Sequence, residues 1–364
     1  MIKQYKSLFG NIYKFSKYIS LPSISLVIIF IFIFISIFAY YIIPQNTTNS
    51  NEIELSLANK SPGFHVNYLF VKKNIEGKSS FLNKLFFGEI MKYKKIPIEY
   101  YKLKKDSIFY LEYGLNNITK NVKKISLNKI LQLNEEITYN QKFLLGTDKY
   151  GRDLMSRIIL GARLSLSVGF FSVIVSLIIG LFFGLIAGYY GGKIDYIIQW
   201  LINVVWSIPT LLLVISISFV LGKGFWQLFL AIGLTMWVEV ARVTRGEVLK
   251  IKSKQFILSA KSLGYSSYRI IIKHILPNVI NPLIIISTAN FATAILLESG
   301  LSFLGLGIQP PIPSWGSIIK NHYLYILIDN PFSAIFPGIC IVLVVLSFMS
   351  LGNYMRDVLD TKIK

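Results

Sequence analysis

Six apolar segments constrain the fold of this chain more than any other feature. A bilayer core of about 30 Å needs roughly 20 apolar residues in a helix, because a helix satisfies its own backbone hydrogen bonds in lipid. Such segments lie at about 22–44, 164–188, 196–221, 226–241, 281–301 and 333–352. The composition agrees, since 53% of the 364 residues are hydrophobic and only 15% are charged. We therefore predict an all-α polytopic membrane protein with six transmembrane helices.

The first apolar segment follows several lysines, as the hydrophobic region of a cleaved signal peptide does. It is longer than the roughly 7–15 apolar residues of such a region, and no small-residue cleavage site follows it. We therefore predict that residues 1–44 form a tail and a retained transmembrane helix. The fourth segment is the shortest and contains Glu239. Its inner end is expected at the membrane interface or against other helices.

The charge of the short connections predicts the orientation. The loop 242–280, between the fourth and fifth segments, contains the single acid Glu247. Its basic residues are Arg242, Arg245, Lys250, Lys252, Lys254, Lys261, Arg269 and Lys273. Cytoplasmic loops carry such an excess of lysine and arginine. Six crossings then place both termini in the cytoplasm as well.

Residues 45–143 are predicted to form a small extracytoplasmic α+β insertion between the first two helices. The region is rich in lysine, but loops longer than roughly 60 residues are translocated largely regardless of charge. Alternating apolar residues, typical of a half-buried strand, occur at Phe64, Val66, Tyr68 and Phe70. The pattern recurs at 107–113, and 125–137 has helical spacing. The third domain, 144–364, contains the other five apolar segments.

The cytoplasmic loop contains a basic helix-turn-helix pattern, FILSAKSLGYSSYRIIIKHILPNVINP, at 256–282. Gly264 permits a backbone turn that residues with a β-carbon avoid. Pro277 is expected to end the second helix. Ala260 and Gly264 leave a low profile that can enter a groove on a partner. The alternative is an amphipathic helix that rests on lipid headgroups.

This pattern resembles the ATPase-coupling loop of binding-protein-dependent ABC importer permeases. That loop has Glu-Ala-Ala, three residues, Gly, a variable apolar run and often His-x-Leu-Pro. The matching positions here are Ala260, Gly264, His274, Leu276 and Pro277. The chain departs from the family at the glutamate and the following alanine, which fall on Leu258 and Ser259. Docking is therefore expected to rest on shape and apolar contact, and we assign no chemistry to His274.

A second motif, LLGTDKYGRDLMSRIILGARLSL, lies at 144–166, just before the second apolar segment. Asp148 or Asp153 can cap a helix start. Arg157 and Arg163 supply guanidinium groups that can bridge carboxylates at a wet membrane edge. The segment resembles the start of the membrane domain in oligopeptide and dipeptide permeases. A structural role and a place on the translocation path both stay open for the two arginines.

A third motif, ILLESGLSFLGLGIQPPIPSWGSII, lies at 295–319, at the outer end of the fifth segment. The density of glycine and proline predicts that the helix ends there, and Trp315 suits the membrane interface. Glu298 is costly in hydrocarbon, so it should face a bundle interior or an aqueous path. The string is similar to one in the same permeases. Functional and architectural roles for Glu298 are both open.

Several classes of function lack the residues they need. The nearest string to a phosphate-binding P-loop, AGYYGGKI at 187–194, has Ala187 in place of the first glycine and Ile194 in place of a hydroxyl residue. No serine-hydrolase elbow or His-Glu-x-x-His pair is present in the sequence, so we predict no catalytic residues. The single cysteine, Cys340, excludes a cysteine metal cluster. The net charge of +20 comes without a nucleic-acid-binding module.

The resemblance implies one of two membrane subunits of an ABC importer of the oligopeptide, dipeptide and nickel permease family, located in the inner or plasma membrane of a bacterium. Its implied partners are a second permease subunit, two ABC ATPase subunits that bind the ATP, an extracytoplasmic solute-binding protein and the lipid membrane. The chain itself is expected to hold no cofactor or metal. A peptide is the first expectation for the cargo.

Two other classes of function, and one variant within the ABC class, stay open. A membrane-anchored module acting through 45–143 would keep its activity when that domain is expressed alone. A secondary carrier or channel would move solute without ATP, although the few charged residues in the spans disfavour a proton relay. Export in place of import is the variant within the ABC class.

Overall fold

The computed structural model describes residues 21–72, 80–89, 91, 93–114, 122–130, 137–326 and 331–359. Within these ranges the chain is mostly helical, with one small β-sheet near its N-terminus. The predicted N-terminal tail and the last residues of the chain lie outside the described residues. Two compact units are present. One comprises Met1–Ile33, Ser165–Gln309 and Cys340–Lys364, and the other comprises Phe34–Leu164 and Pro310–Ile339.

The apolar segments form long helices because their residues satisfy backbone hydrogen bonds internally. Six spans were predicted, whereas among the described residues four helices could each cross a membrane by length and composition, or five spans if a bent pair counts as one. The four helices are α3 (Leu154–Tyr190), α6 (Phe225–Lys252), α8 (Ser267–Leu304) and α10 (Phe332–Leu359). The first apolar segment appears as the 17-residue helix α1, Leu21–Ile37, followed by a short turn of helix at Ala39–Ile42.

The predicted third span, 196–221, is not one straight helix. It consists of α4 (Gly192–Trp206) and α5 (Thr210–Leu221), which are bent by 93° at the break between them. Pro209 lies at the start of α5 and has no N–H to continue the α4 hydrogen-bond ladder. The residue before a proline also avoids the helical conformation. Counting apolar residues could not reveal this bend.

The second unit contains an antiparallel five-stranded sheet in the order β4-β3-β2-β1-β5. The strands are β1 (Phe64–Lys72), β2 (Tyr93–Lys104), β3 (Ser107–Glu112), β4 (Lys123–Ser126) and β5 (Thr138–Phe143). A short helix, α2 (Phe81–Phe87), precedes β2. The alternating residues of β1 lie on one face, where Val66, Tyr68 and Phe70 pack with Leu57 and Phe143. The expected strand at 64–70 is confirmed.

The helix predicted at 125–137 is wrong for the residues that the structure describes. Residues 123–126 form strand β4, and Leu127–Lys129 form a single 3-10 turn. Ile125 pairs with Ile108 of β3, and Ile130 is buried beside that strand's Ile108 and Tyr110. Pairing with the sheet therefore outweighs the helical spacing. Residues 131–136 lie outside the described residues.

Two further helices complete the architecture. Helix α7 (Gln255–Ser262) follows α6 in the predicted cytoplasmic loop, and α9 (Trp315–His322) follows the motif at 295–319. Helix α8 ends at Leu304, where Gly305 adopts a left-handed conformation with φ of 87°. The predicted helix end in that glycine-rich motif is confirmed.

Candidate functional site

A tight turn joins α7 to α8 at Gly264. The residue has φ of +77°, and the N–H of Gly264 donates to the carbonyl of Lys261 while the N–H of Tyr265 donates to the carbonyl of Ala260. This pair of hydrogen bonds is a Schellman motif, in which a glycine past the helix end satisfies the last carbonyls. The turn predicted at Gly264 is therefore present. An added β-carbon would meet no atom within 4 Å, so the backbone conformation alone demands glycine.

The inner face of this helix-turn-helix packs on α6 within the first unit. Ile257, Ile270 and Ile275 are buried in a cluster that also contains Val248 and Ile251 of α6. Ala260 belongs to the same cluster and is only 4% exposed. The expectation that Ala260 contributes to a low outer profile is therefore wrong, because its methyl group faces inward. Gly264 is exposed.

The outer face of the same segment is apolar and exposed. We define the exposed apolar face as Phe256, Leu258, Leu263, Tyr268 and Ile272. The largest exposures are 73% for Leu263 and 76% for Tyr268. Leu258 stands where the family has its glutamate, and its neighbour Ser259 is also exposed. A single exposed leucine is common on protein surfaces. Several exposed apolar side chains together on one face of a basic loop indicate a surface that binds a partner.

Pro277 does not end the second helix of this segment. Residues Ser267–Leu304 form one helix, which passes through a π-helical stretch at Ile271–Ile275 before Pro277. In that stretch the Leu276 N–H donates to the carbonyl of Ile271, five residues back. The wider turn accommodates a residue that lacks an N–H. The side chain of Asn278 donates to the carbonyl of His274, and the His274 ring stacks on Tyr265.

A buried ion-pair cluster organises the second motif. The Asp148 carboxylate accepts hydrogen bonds from the N–H groups of Tyr150 and Arg152 at 2.8 and 2.9 Å and from the Arg152 Nε at 2.7 Å. The Nε atom of Arg157 lies 3.7 Å from the same carboxylate. Arg157 also donates to the carbonyls of Asn49 and Ser50. These contacts fix the 144–157 segment against residues 49 and 50.

Replacing Asp148 with alanine should destabilise the second unit by about 3–5 kcal/mol, because two buried guanidinium groups lose their carboxylate. Thermal unfolding of the purified protein in detergent measures this change. The matched control is Glu112→Ala, which removes an exposed ion pair to Lys123 in the same unit. Such exposed pairs contribute about 0–1 kcal/mol. Equal losses in the two variants would contradict the assigned role of Asp148.

Asp153 caps the start of α3. Its carboxylate accepts hydrogen bonds from the backbone N–H of Ser156 at 2.9 Å and from the hydroxyl of Ser156. The predicted capping role is confirmed for Asp153, whereas Asp148 shapes the preceding turn. Arg163 lies further along α3, donates to the carbonyl of Leu85 at 2.7 Å and covers the ring of Tyr40. A place for Arg157 or Arg163 on the translocation path stays a prediction.

His322 is a buried polar residue that the sequence reading missed. Its Nδ1 lies 2.8 Å from the carbonyl of Ile318, and its Nε2 accepts the N–H of Lys149 at 3.3 Å. Burial lowers the pKa of His322, so the neutral ring with the proton on Nδ1 fits both contacts. The residue therefore helps to hold the turn before α3.

Glu298 is fully buried in the first unit among hydroxyl groups. The hydroxyl of Ser165 donates to Oε2 at 2.8 Å, and the hydroxyl of Ser302 donates to Oε1 at 2.7 Å. These bonds connect α3 and α8, as expected for an acid facing a bundle interior. Its place on a translocation path stays a prediction. Trp315, which was expected at the membrane interface, is fully buried within the protein and donates to the carbonyl of Ile158.

A glycine ladder on α3 was also missed. Gly180, Gly184 and Gly188 recur every four residues, and an added β-carbon would lie about 2.5 Å from the Val240 and Thr244 side chains and 2.6 Å from Val248. Small residues at this spacing let membrane helices approach closely. The signal was present in the sequence, since the glycines stand at i, i+4 and i+8. Helix α6, which leads into the exposed apolar face, is thus held closely against α3.

The long apolar helices define a multi-pass membrane protein. A family model described as "Binding-protein-dependent transport system inner membrane component" matches residues 180–364. This is half of the chain, and it includes the helix-turn-helix at 256–282. The chain belongs to this family, as its sequence resemblance implied.

Relatives with described roles match more than half of the chain. The dipeptide transport system permease protein DppC of Alkalihalophilus pseudofirmus is 43% identical over 219 residues, which cover 60% of this chain and 72% of the relative. The glutathione transport system permease protein GsiD of Escherichia coli O6:K15:H31 is 41% identical with the same coverage. DppC of Bacillus subtilis is 40% identical and is covered over 68% of its length.

Among solved structures, the inward-facing MetNI methionine ABC transporter matches with a TM-score of 0.47 and 20% identity. The match covers 56% of this chain and 97% of that one.

Proposed function

We propose that this chain is one of two membrane subunits of an ATP-driven importer that moves oligopeptides or dipeptides across the plasma membrane. The exposed apolar face carries the proposal. It lies in the basic loop that the charge distribution assigns to the cytoplasm, and its backbone is fixed from behind by a buried cluster. A rigid apolar surface in water fits a protein partner better than a headgroup layer.

The proposed partners at this face are two ABC ATPase subunits, one of which docks on this chain. Leu258, Ser259, Gly264 and the neighbouring apolar side chains would contact the ATPase. Ala260 would act from inside, because it is buried, and His274 and Pro277 would fix the shape of the segment. The missing family glutamate makes this docking apolar, with Leu258 in its place. ATP binding and hydrolysis would reside on those subunits, since this sequence lacks a P-loop.

The mechanism is alternating access. ATP-driven closure of the two ATPases would move the docked segments, and each segment would move the spans that continue from it. Helix α8 begins with Tyr268 and Ile272 of the exposed apolar face and continues into the membrane span as one helix of 38 residues. Movement at the exposed apolar face would therefore reach that span directly, as in other switches with two states.

The peptide cargo is proposed from the relatives, whose names specify dipeptide and glutathione transport. An extracytoplasmic solute-binding protein would deliver the cargo, and a second permease subunit would complete the pore. Both termini would be cytoplasmic, and the sheet-containing insertion would face outward.

Replacing Leu263 and Tyr268 together with serine should abolish co-purification of P-loop ATPase subunits in mild detergent. The reason is that the two most exposed side chains of the apolar face would no longer bury apolar area on the partner. The matched control replaces Leu82 and Phe87 of α2, which are also strongly exposed, with serine. Retained ATPase in the Leu263 and Tyr268 variant, or ATP-independent uptake by the purified chain alone, would contradict the proposal.

A further inference from the structure

Helix α6 is the most enclosed of the membrane-spanning helices. Within its apolar window 67% of the residues are buried inside the described chain, against 33% for α3 and for α10. Its buried side packs in two clusters. Val240, Val248 and Ile251 belong to one cluster, and Trp237, Val238 and Ala241 belong to the other. A helix held in this way has few positions left to face lipid or water.

One face of α6 is nevertheless polar. Glu239, Arg242, Gly246 and Lys250 follow each other at spacings of three, four and four residues, which places them on one side of a helix with 3.6 residues per turn. This side is opposite the packed positions such as Val248. Glu239 is exposed, Gly246 has no atom within 4 Å of an added β-carbon, and Lys250 is exposed. We call these four residues the polar stripe.

The Glu239 carboxylate forms no ion pair or hydrogen bond with any residue in the part of the chain that the structure describes. The nearest basic residue on the stripe, Arg242, places its guanidinium 3.3 Å from the centre of the Trp206 ring. An unpaired acid facing lipid is costly in a membrane helix, and such acids typically face an aqueous cavity. The continuation of the stripe to Lys250 at the inner end of α6 agrees with a path open to water.

We propose that the polar stripe lines the aqueous path for the cargo and that Glu239 favours cargo groups carrying positive charge. The inference rests on the proposed transport function and adds a residue that selects among substrates. Glu239 is the single acid on a stripe that also carries the cations Arg242 and Lys250. Its carboxylate lowers the electrostatic potential beside a water-filled path, which favours cations, and without it the stripe would favour anions. Cationic side chains or amines of a peptide are the groups it would recognise.

Water access is tested by thiol labelling, which needs no cargo. Cys340 is the only cysteine, so Cys340→Ala gives a background without thiols in this chain. In the membrane-embedded complex, Glu239→Cys should react with a water-soluble methanethiosulfonate at least about tenfold faster than Leu234→Cys, because thiolates form in water and not in lipid. Leu234 is the matched control, since it is exposed on the same helix but away from the stripe. Equal rates would overturn the aqueous path.

The charge preference is tested one turn further along α6. At Val243→Cys, the rate of a cationic methanethiosulfonate is divided by that of an anionic one, each relative to its rate with a free thiol. Arg242 and Lys250 contribute equally to this ratio in every variant, so adding Glu239→Gln should lower the ratio by about threefold or more, because the local field loses its negative source. Glu239→Asp should keep it. An unchanged ratio in the Gln variant would overturn the selectivity while leaving the water path in place.

Transport separates this inference from the proposed function. In proteoliposomes with ATP, Glu239→Gln should lower uptake of lysyl-alanine relative to dialanine by about threefold or more, the same factor as for the charged reagents. Any preference of the binding protein cancels in the comparison with the unaltered chain. Absence of all ATP-dependent peptide uptake in the unaltered complex would contradict the proposed function. Uptake with an unchanged lysyl-alanine to dialanine ratio would contradict only the role of Glu239.

Discussion

Replacing Gly264 with valine should reduce solute-stimulated ATP hydrolysis by the assembled complex to its unstimulated rate. The turn holds Gly264 at φ of +77°, a conformation that costs a residue with a β-carbon about 1–3 kcal/mol, and a β-branched residue is the least tolerant. Without this turn, Leu263 and Tyr268 would no longer project from a fixed surface. Membrane insertion should persist, because the apolar spans are unchanged. The measurement is ATPase activity with and without loaded binding protein.

Two control variants make this prediction specific. Gly264→Asn should retain most of the stimulation, because asparagine enters the left-handed region more readily than other residues do. Gly222→Val should also retain stimulation. Gly222 has φ of +88° and open space around it, but it follows α5 in a different connection. Normal stimulation in Gly264→Val would contradict the proposed role of the helix-turn-helix at 256–282 in coupling to the ATPase.

The sequence was most informative where one physical requirement dominates. Residues in lipid need an unbroken helix, so the apolar segments predicted the long helices, and alternation at Phe64 to Phe70 predicted β1. Gly264 and Gly305 were recognisable because few other residues adopt positive φ. A cap was predicted at Asp148 or Asp153, and the structure assigns it to Asp153. In each case the deciding interaction is local in sequence.

The sequence was least informative where distant contacts decide. Ile125 could not be assigned to a strand before its partner Ile108 was known. Tryptophan is common at membrane interfaces, yet Trp315 is buried and its indole N–H donates to the carbonyl of Ile158. Pro277 would end most helices, but a π-helical stretch carries the chain past it. The inward direction of Ala260 depends likewise on the cluster formed with α6.

The candidate site was predicted in part for the same reason. Its position and its turn are local features, and both were anticipated from 256–282. The division into a buried face and an exposed apolar face depends on which side of α7 meets α6. The polar stripe on α6 was also hidden, because Glu239 alone does not reveal that the opposite side of its helix is packed. The burial of the opposite side of α6 had to be known before the exposure of Glu239 could be interpreted.

Replacing Gly184 with leucine should destabilise the first unit by about 3 kcal/mol, near the upper end of the usual cost of overpacking. A β-carbon at this position would lie 2.5 Å from the Thr244 β-carbon and 2.6 Å from the Ala241 carbonyl oxygen. The second contact is with backbone, so a side-chain rotation cannot relieve it. Helices α3 and α6 must then move apart. Thermal unfolding of the purified protein in detergent measures the loss.

The sign of the effect distinguishes close packing from a general intolerance of larger residues. Gly300→Ala is the matched control, because Gly300 lies within helix α8 and an added β-carbon there meets nothing within 4 Å. In a helix interior, alanine is more favourable than glycine by about 0.5–1 kcal/mol, so this variant should unfold at the same or a higher temperature. Gly184→Ala should unfold at a lower one. Since α6 continues almost directly into α7, Gly184→Leu should also weaken solute-stimulated ATP hydrolysis. Unchanged unfolding and hydrolysis in Gly184→Leu would show that the glycine ladder does not hold α6 in place.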